Sequence, residues 1–269
     1  MADRGTAEAA GHSHRCLGDR RCDAAVRCGD LRDAMSTVIV FDLDDTLYRE
    51  RDYVRSGIAA VDVWVQWRLG IHGFDATATT LWNAGRRTKL FDMALAELGV
   101  TADLATIAAM VAIYRDHLPR IRLAPDALAF LASDHGFGLA LITDGFGAAQ
   151  RRKVAALGLT RYPFDPIVYT DDWGPTFWKP HRRAFDAVEA VHRGRSNRFV
   201  YVADNPAKDF LAPRALGWGT VQIDRPDAVH PRVAPGPSYC AATHIRSLRD
   251  LTQQRIEALF VPASLEVDA

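Results

Sequence analysis

The sequence predicts an α/β fold: a Rossmann-like parallel sheet core with helices on both faces, plus an all-helical cap inserted after the first strand. Three observations carry this prediction. Short apolar, β-branched runs recur along the chain, helical segments separate them, and only helical periodicity lies between the first two runs. A length of 269 residues suffices for a core of residues 36–50 and 120–269 and a cap of residues 51–119.

The predicted strands are continuous apolar runs, which is typical of strands buried on both faces of a parallel sheet. They cover residues 37–41, 138–143, 167–170, 198–203 and 220–223. The alternation of such strands with helices favours parallel pairing.

Helices are predicted from start and stop signals as well as from periodicity. One covers residues 148–157 and ends at Gly158, and another covers residues 180–192 with Pro180 in its first turn. A further amphipathic helix is predicted over residues 245–259.

The predicted cap shows apolar residues at helical spacing, with no convincing strand between them. Its helices carry these residues in two series: Val54, Ile58, Val61 and Val65, then Leu104, Ile107, Val111, Tyr114 and Leu118. An insertion at this point would lie over the carboxyl edge of the sheet, where open α/β sheets bind their ligands.

Composition excludes several classes of protein. The chain carries 33 basic and 33 acidic residues, so it lacks the basic excess of a nucleic-acid binder. It has no apolar run of about 18 residues, so we expect no membrane partner and a cytoplasmic location. Residues 1–35 are predicted to be a disordered tail, whose cysteines Cys16, Cys22 and Cys28 do not match a zinc spacing.

Polar side chains cluster where four of the predicted strands end. They are Asp42, Asp44 and Asp45 after the first strand, Thr143, Asp144 and Gly145 after the second, Lys179 beyond the third, and Asp204 and Asp209 after the fourth. Carboxylates gathered at one sheet edge repel one another unless a cation lies among them. Oxygen ligands without His or Cys suit Mg²⁺, which commonly bridges to phosphate. The pattern therefore predicts a site for a phosphoryl group.

The spacing of Asp42 and Asp44 indicates that the two carboxylates have different roles. Past the end of a strand, a turn can offer one side chain and the backbone of the other residue to a shared centre. One carboxylate can then attack phosphorus while the other handles the proton of the leaving group.

Four ordered motifs resemble those of the haloacid dehalogenase-like (HAD) hydrolase superfamily. They are Phe41-Asp-Leu-Asp-Asp-Thr-Leu47, Ile142-Thr-Asp-Gly145, Lys179-Pro180 and Val202-Ala-Asp-Asn-Pro-Ala-Lys-Asp209. The helical insertion between the first two motifs resembles the C1 cap of the subfamily I phosphatases.

The resemblance implies a role for each matching position. Asp42 would be the nucleophile and a Mg²⁺ ligand, and Asp44 would be the general acid–base and offer its backbone carbonyl to the metal. Lys179 would neutralise the nucleophile and the phosphate. By the same resemblance, four residues would bind the substrate: Asp45, Thr143, Asp144 and Gly145. Asp204 would be a metal ligand, and Asp209 would be an acid in the second shell of the metal.

The function that follows is a Mg²⁺-dependent phosphatase for a small phosphorylated metabolite, of the sugar phosphate or nucleotide class, acting through an aspartyl-phosphate. A phosphomutase of the same superfamily and a non-catalytic binding or regulatory module remain alternatives. A dehalogenase is less favoured, because such enzymes lack the second aspartate that Asp44 supplies. We expect a monomer or a homodimer.

Overall fold

A computed structural model of the protein describes residues 37–261. Within this range, six parallel strands form one sheet in the order β3-β2-β1-β4-β5-β6. The strands are β1 (Val38–Phe41), β2 (Gly138–Thr143), β3 (Phe164–Tyr169), β4 (Phe199–Ala203), β5 (Gly219–Ile223) and β6 (Thr243–Ile245). The predicted fold class is confirmed. The predicted N-terminal tail and its three cysteines lie outside the described residues.

Helices cover both faces of this sheet. Among the described residues, the α-helices are α1 (Glu50–Leu69), α2 (Phe74–Asn83), α3 (Leu90–Glu97), α4 (Leu104–Asp116), α5 (Pro125–Leu131), α6 (Gly147–Ala156), α7 (Arg183–His192), α8 (Leu211–Ala215) and α9 (Gln253–Ala258). Alternate residues of β1 point to opposite faces. Ile39 and Phe41 pack in a cluster with residues of α5, α6 and α9, whereas Val38 and Val40 pack with residues of α7 and α8.

The register of the central strands aligns the loops that follow them. Phe41 of β1 is level with Leu141 of β2 on one side and with Val202 of β4 on the other. The three strands therefore deliver the polar residues that follow them to one edge, where Asp42 lies close to Asp204.

The helices α1 to α4, here called the helical insert, have an apolar core of their own that includes Ile58, Phe74 and Met110. Two chain segments connect the insert to the sheet. An antiparallel bridge joins Tyr48 to Leu123, and the Ala124 amide donates to the Leu47 carbonyl at 2.9 Å. Within residues 37–261, no helix combines the length and apolarity needed to cross a bilayer.

Two predicted helices differ in the structure. The helix predicted over residues 180–192 begins only at Arg183, because Pro180 lies in a turn that the His181 amide closes by donating to the Trp178 carbonyl at 3.0 Å. The prediction for residues 245–259 is wrong over its first half. Strand β6 ends there, and the side chains of Ser247 and Thr252 cap two separate helical segments, a single 3-10 turn and α9.

Candidate active site

The loop after β1 sends its first two acidic side chains in different directions. The Asp42 amide continues the ladder by donating to the Val202 carbonyl at 2.9 Å, so Asp42 sits at the end of the strand. Its Oδ1 lies 2.6 Å from Lys179 Nζ. The Asp44 carboxylate instead faces α6, where Lys153 Nζ lies 2.7 Å from Oδ1.

Lys179 lies at the centre of a buried group of polar side chains. Its ammonium contacts Asp42 at 2.6 Å, Asp209 at 2.7 Å and the Tyr201 hydroxyl at 2.9 Å. Burial would lower the pKa of Lys179, but the negative charges of Asp209 and Asp42 raise it well above its usual value. Lys179 is therefore a permanent cation beside the Asp42 carboxylate.

Asp42, Asp204 and Asp209 bring carboxylate oxygens within 4.8 Å of one another. Asp204 Oδ2 is buried and has no hydrogen-bond partner among residues 37–261. Burial, reinforced by the charges of Asp42 and Asp209, raises the pKa of Asp204 well above its usual value. Burial also raises the pKa of Asp42, to about 6, although Lys179 opposes the shift. A buried acceptor without a donor, among hard oxygen ligands, fits a divalent cation.

Asp209 is less available to a metal than its two neighbours. Its Oδ1 contacts Lys179, and its Oδ2 accepts from the Asn205 amide at 3.1 Å. These contacts orient the lysine and the loop after β4.

The loop after β2 carries the residues predicted to hold a phosphoryl group. Thr143 is buried, and its hydroxyl accepts from Gln150 Nε2 at 2.8 Å. Gly145 has a φ of +107°, a conformation that L side chains rarely adopt, so glycine is required for this turn.

The Asp144 side chain organises the wall of the site. It accepts from the Thr170 hydroxyl at 2.8 Å and from the Lys179 amide at 3.2 Å, and it pairs with Lys208 Nζ at 3.2 Å. Burial would raise the pKa of Asp144, but Lys179 and Lys208 lower it. Its negative charge is therefore neutralised by protein cations.

Asp45 has surroundings that differ from those of a substrate-binding residue. Its backbone is left-handed, with a φ of +49°. Its two carboxylate oxygens accept from the backbone amides of Glu50 at 2.8 Å and Val229 at 2.7 Å. The side chain therefore fixes the start of α1 and the segment after β5, and its binding of substrate stays a prediction.

The carboxylate of Asp44 is held on both oxygens. Lys153 and the Tyr48 hydroxyl donate to Oδ1, and Gln150 Nε2 donates to Oδ2 at 2.9 Å. Burial would raise the pKa of Asp44, but the charge of Lys153 and these donors lower it. The ionised form is favoured until another negative group approaches.

A cavity of about 490 Å³ lies between the sheet edge and the helical insert. Asp44, Lys179 and Lys208 reach it from the sheet side, and Tyr114 and Arg115 line it from α4. Glu50 also lines it, and burial together with the charge of Asp44 raises the pKa of Glu50 to about 8. The cavity therefore has room for a small organic molecule beside the acidic cluster.

The structure brings Asp42, Asp44, Lys179, Asp204 and Asp209 to one sheet edge, with Thr143, Asp144 and Gly145 on the adjoining loop. Three further side chains contact these acids and were not predicted from the sequence: Gln150, Lys153 and Lys208. Gln150 and Lys153 are three apart in a predicted helix that follows Thr143, so helical spacing places them on one face. This helical spacing is the feature of the sequence from which Gln150 and Lys153 could have been predicted.

The parallel sheet and the ordered motifs at its edge agree with the HAD-like resemblance of the sequence. A family model described as haloacid dehalogenase-like hydrolase matches residues 37–217, and the chain belongs to this family.

Curated relatives of this chain carry phosphatase names. A phosphoserine phosphatase from Thermus thermophilus is 32% identical over 160 residues, which cover 59% of this chain and 61% of the relative. A glyceraldehyde 3-phosphate phosphatase from Methanopyrus kandleri is 26% identical over 71% of this chain and 85% of its own length. The chain thus matches less than two thirds of the Thermus enzyme.

Solved structures with the same fold include a dehalogenase and a magnesium-bound hydrolase. The L-2-haloacid dehalogenase from Xanthobacter autotrophicus with chloropropionic acid covalently bound has a TM-score of 0.56 and 20% identity, over 84% of this chain and 100% of that chain. The HAD-hydrolase YfnB from Bacillus subtilis, bound to magnesium, has a TM-score of 0.52 and 20% identity, over 80% and 96%. At this identity the likeness concerns the fold.

Proposed function

We propose that the protein is a Mg²⁺-dependent phosphatase that hydrolyses a small organic phosphomonoester through an aspartyl-phosphate on Asp42. The observation that carries the proposal is the buried Asp42 carboxylate, 2.6 Å from Lys179 and within the same cluster as the unpartnered Asp204. The names of the relatives support phosphate esters of small metabolites as substrates.

In the first half of the proposed reaction, an Asp42 oxygen attacks phosphorus and the bond to the leaving oxygen breaks. Asp44 delivers a proton to that oxygen as the alcohol departs. The negative charges of an incoming phosphate favour the protonated form of Asp44, because like charges raise a carboxyl pKa.

In the second half, a water molecule attacks phosphorus, Asp44 accepts its proton, and the Asp42 carboxylate is released together with inorganic phosphate. Lys179 stays charged throughout and offsets the negative charge that gathers on the phosphoryl oxygens. The Thr143 hydroxyl and the turn at Gly145 lie on the adjoining loop, where they would hold these oxygens.

Asp42, Asp204 and the backbone carbonyl of Asp44 would hold the Mg²⁺. When bound, the ion supplies positive charge that offsets the phosphoryl oxygens and the crowded carboxylates. Asp209, through its contact with Lys179, keeps the ammonium in place.

The test is release of inorganic phosphate from a panel of phosphate esters, with and without Mg²⁺. The panel includes phosphoserine, glyceraldehyde 3-phosphate, ribulose 1,5-bisphosphate, sugar phosphates and nucleotides. We expect Mg²⁺-dependent turnover by the wild type and a fall below about one-thousandth in Asp42→Asn, because the nucleophile is lost.

Asp186→Asn is the matched control, since this exposed aspartate of α7 forms a surface ion pair with Arg182. We expect its activity to change by less than about twofold. Full activity in Asp42→Asn would contradict the mechanism. Return of the phosphoryl group to a bound sugar, without net release, would instead identify a phosphomutase, and binding without turnover would identify a non-catalytic module.

A further inference from the structure

Lys153 is a buried lysine at the wall of the catalytic cavity. Its side chain is 7% exposed, and its ammonium lies 2.7 Å from Asp44 Oδ1. The same ammonium lies 4.1 Å from the centre of the Tyr53 ring, which belongs to α1 of the helical insert. A buried lysine in contact with one catalytic group and one aromatic ring has few alternative positions.

We infer that Lys153 is a positioning residue that fixes the Asp44 carboxylate for proton delivery, and that it thereby adapts the site to phosphate esters of weakly acidic alcohols. The inference rests on the phosphatase function proposed above. It concerns the class of leaving group that the enzyme handles.

The positioning argument starts from α6. Gln150 and Lys153 are three apart on this helix, so their side chains lie on one face. Gln150 donates to one oxygen of Asp44 at 2.9 Å and Lys153 to the other at 2.7 Å. Val154 anchors the helix in the apolar cluster beneath the sheet. A carboxylate held on both oxygens by a packed helix cannot rotate freely.

Gln150 also connects this arrangement to the phosphate side of the site. Its Nε2 lies 2.8 Å from the Thr143 hydroxyl and also contacts the Asp144 carbonyl. The helix that orients the proton donor therefore also contacts the loop that would receive the phosphoryl group. If the proton is to be delivered as the P–O bond breaks, the proton donor and the phosphoryl group must be held in fixed positions relative to each other.

The chemistry of the leaving group separates positioning from a purely structural role. An alkoxide is strongly basic, so an alkyl phosphate needs a proton on the departing oxygen as the P–O bond breaks. A p-nitrophenolate is stable as an anion and leaves without a proton. General acid catalysis contributes about 10²- to 10⁴-fold where it operates. If Lys153 only stabilised the fold, its replacement would lower the turnover of both substrates equally.

The experiment compares the wild type with Lys153→Met, using an alkyl phosphate from the panel and p-nitrophenyl phosphate. Methionine keeps the length of the side chain and its packing on Tyr53 but removes the charge. We expect kcat on the alkyl phosphate to fall about 10- to 100-fold, a part of the full general-acid contribution. On p-nitrophenyl phosphate we expect kcat to fall less than about threefold, with KM on both substrates nearly unchanged.

Arg151→Met is the matched control on the same helix. Arg151 pairs with Asp172 at 2.8 Å at the surface, and both side chains are half exposed. Such a pair contributes little, so we expect both substrates to be turned over as by the wild type.

A double variant tests whether Lys153 acts through Asp44. In the Asp44→Asn background, Lys153→Met is expected to cause no further loss on the alkyl phosphate, because the proton donor is already absent. If the losses of activity of the two single variants multiply in the double variant, the inference is overturned. Equal losses on the two substrates in Lys153→Met would overturn it as well.

If Lys153→Met does not fold, Tyr48→Phe decides, since it removes the other donor to the same oxygen with little change in volume. A loss selective for the alkyl phosphate supports the inference, and equal or no loss overturns it. Failure of the wild type to hydrolyse any ester would refute the proposed function and this inference with it. Wild-type turnover with no difference between leaving groups in the variants would refute only the inference.

Discussion

Arg225 connects four segments of the core from a buried position. Its guanidinium donates two hydrogen bonds of 2.7 Å to Asp126, at the start of α5. It also donates to the Thr46 carbonyl, at 2.6 and 3.1 Å, in the loop that carries Asp42 and Asp44. Asp126 in turn accepts from the Leu248 amide at 2.7 Å. We predict that Arg225→Met strongly destabilises the fold.

The magnitude follows from the contacts that remain after the change. Removing one partner of a buried ion pair costs about 3–5 kcal/mol, because the other charge stays buried and unpaired. Asp126 keeps the Leu248 amide and the Ser247 hydroxyl as donors, so we expect the lower end, about 3 kcal/mol. For a domain of this size, that loss lowers the Tm by about 6–12 °C.

Urea unfolding of the wild type, Arg225→Met, Asp126→Asn and the double variant measures this prediction. We expect a coupling of about 1–3 kcal/mol between the two positions, since the double variant leaves no unpaired charge. Arg182→Met is the control, because its pair with Asp186 is exposed. A loss below about 1 kcal/mol in Arg225→Met, or strict additivity in the double variant, would refute the reasoning.

The same pair predicts a pH dependence with a definite sign. Burial would raise the pKa of Asp126, but the Leu248 amide and Arg225 lower it below its usual value. A carboxyl whose pKa is lowered by folding stabilises the folded state above its unfolded pKa of about 3.9 and loses that contribution as the pH falls through the folded value. The difference in free energy of unfolding between the wild type and Arg225→Met should therefore be full at pH 6 and shrink below about pH 4.

Two further predictions concern the metal site and the helical insert. Asp204→Asn should raise the Mg²⁺ concentration for half-maximal activity by at least about tenfold, and an unchanged Mg²⁺ requirement in an activity titration would contradict this. In EDTA, the variant should be at least as stable to urea as the wild type. The reason is that the substitution removes a buried carboxylate whose Oδ2 has no hydrogen-bond partner among residues 37–261. Gly57→Ala should destabilise the insert by about 1–3 kcal/mol, because a Cβ at this position would clash with the Tyr114 ring. Urea unfolding with unchanged or increased stability would contradict this prediction.

The sheet was predictable from local pattern because β1, β2 and β4 are buried on both faces and read as continuous apolar runs. Strand β6 was missed, since its three residues, Thr243–Ile245, follow no such run. The helix before His192 was predicted to start three residues early, because a proline suits both a first helical turn and the turn that precedes it.

The site was predictable as a set of acids but not as a set of contacts. Strand ends identify Asp42, Asp44 and Asp204 because parallel strands finish at one edge. Two of the three partners of Asp44 come from α6, more than a hundred positions further along the chain, and only the packing of that helix decides which of its side chains reach the carboxylate. Asp45 shows the opposite case. Its place in the motif predicts a role in the site but gives no sign of the two backbone amides that donate to its carboxylate.

The distribution of charge at the sheet edge explains why the acids differ in their behaviour. Three lysines lie among five carboxylates: Lys153, Lys179 and Lys208, and Asp42, Asp44, Asp144, Asp204 and Asp209. Asp44 and Asp144 each have a lysine, and their pKa values are lowered. Asp42 shares Lys179 with Asp209, Asp204 has no lysine contact among the described residues, and the pKa values of Asp42 and Asp204 are raised.

The formal excess is therefore two negative charges, and among these five carboxylates it falls on the two whose pKa values are raised. A divalent cation between Asp42 and Asp204 would balance that excess and favour the ionised, nucleophilic form of Asp42. The lysines cannot take this role, because Lys153 and Lys208 are held by other acids. The lysine contacts thus separate two neutralised acids, Asp44 and Asp144, from Asp42 and Asp204, the pair that a divalent cation would balance.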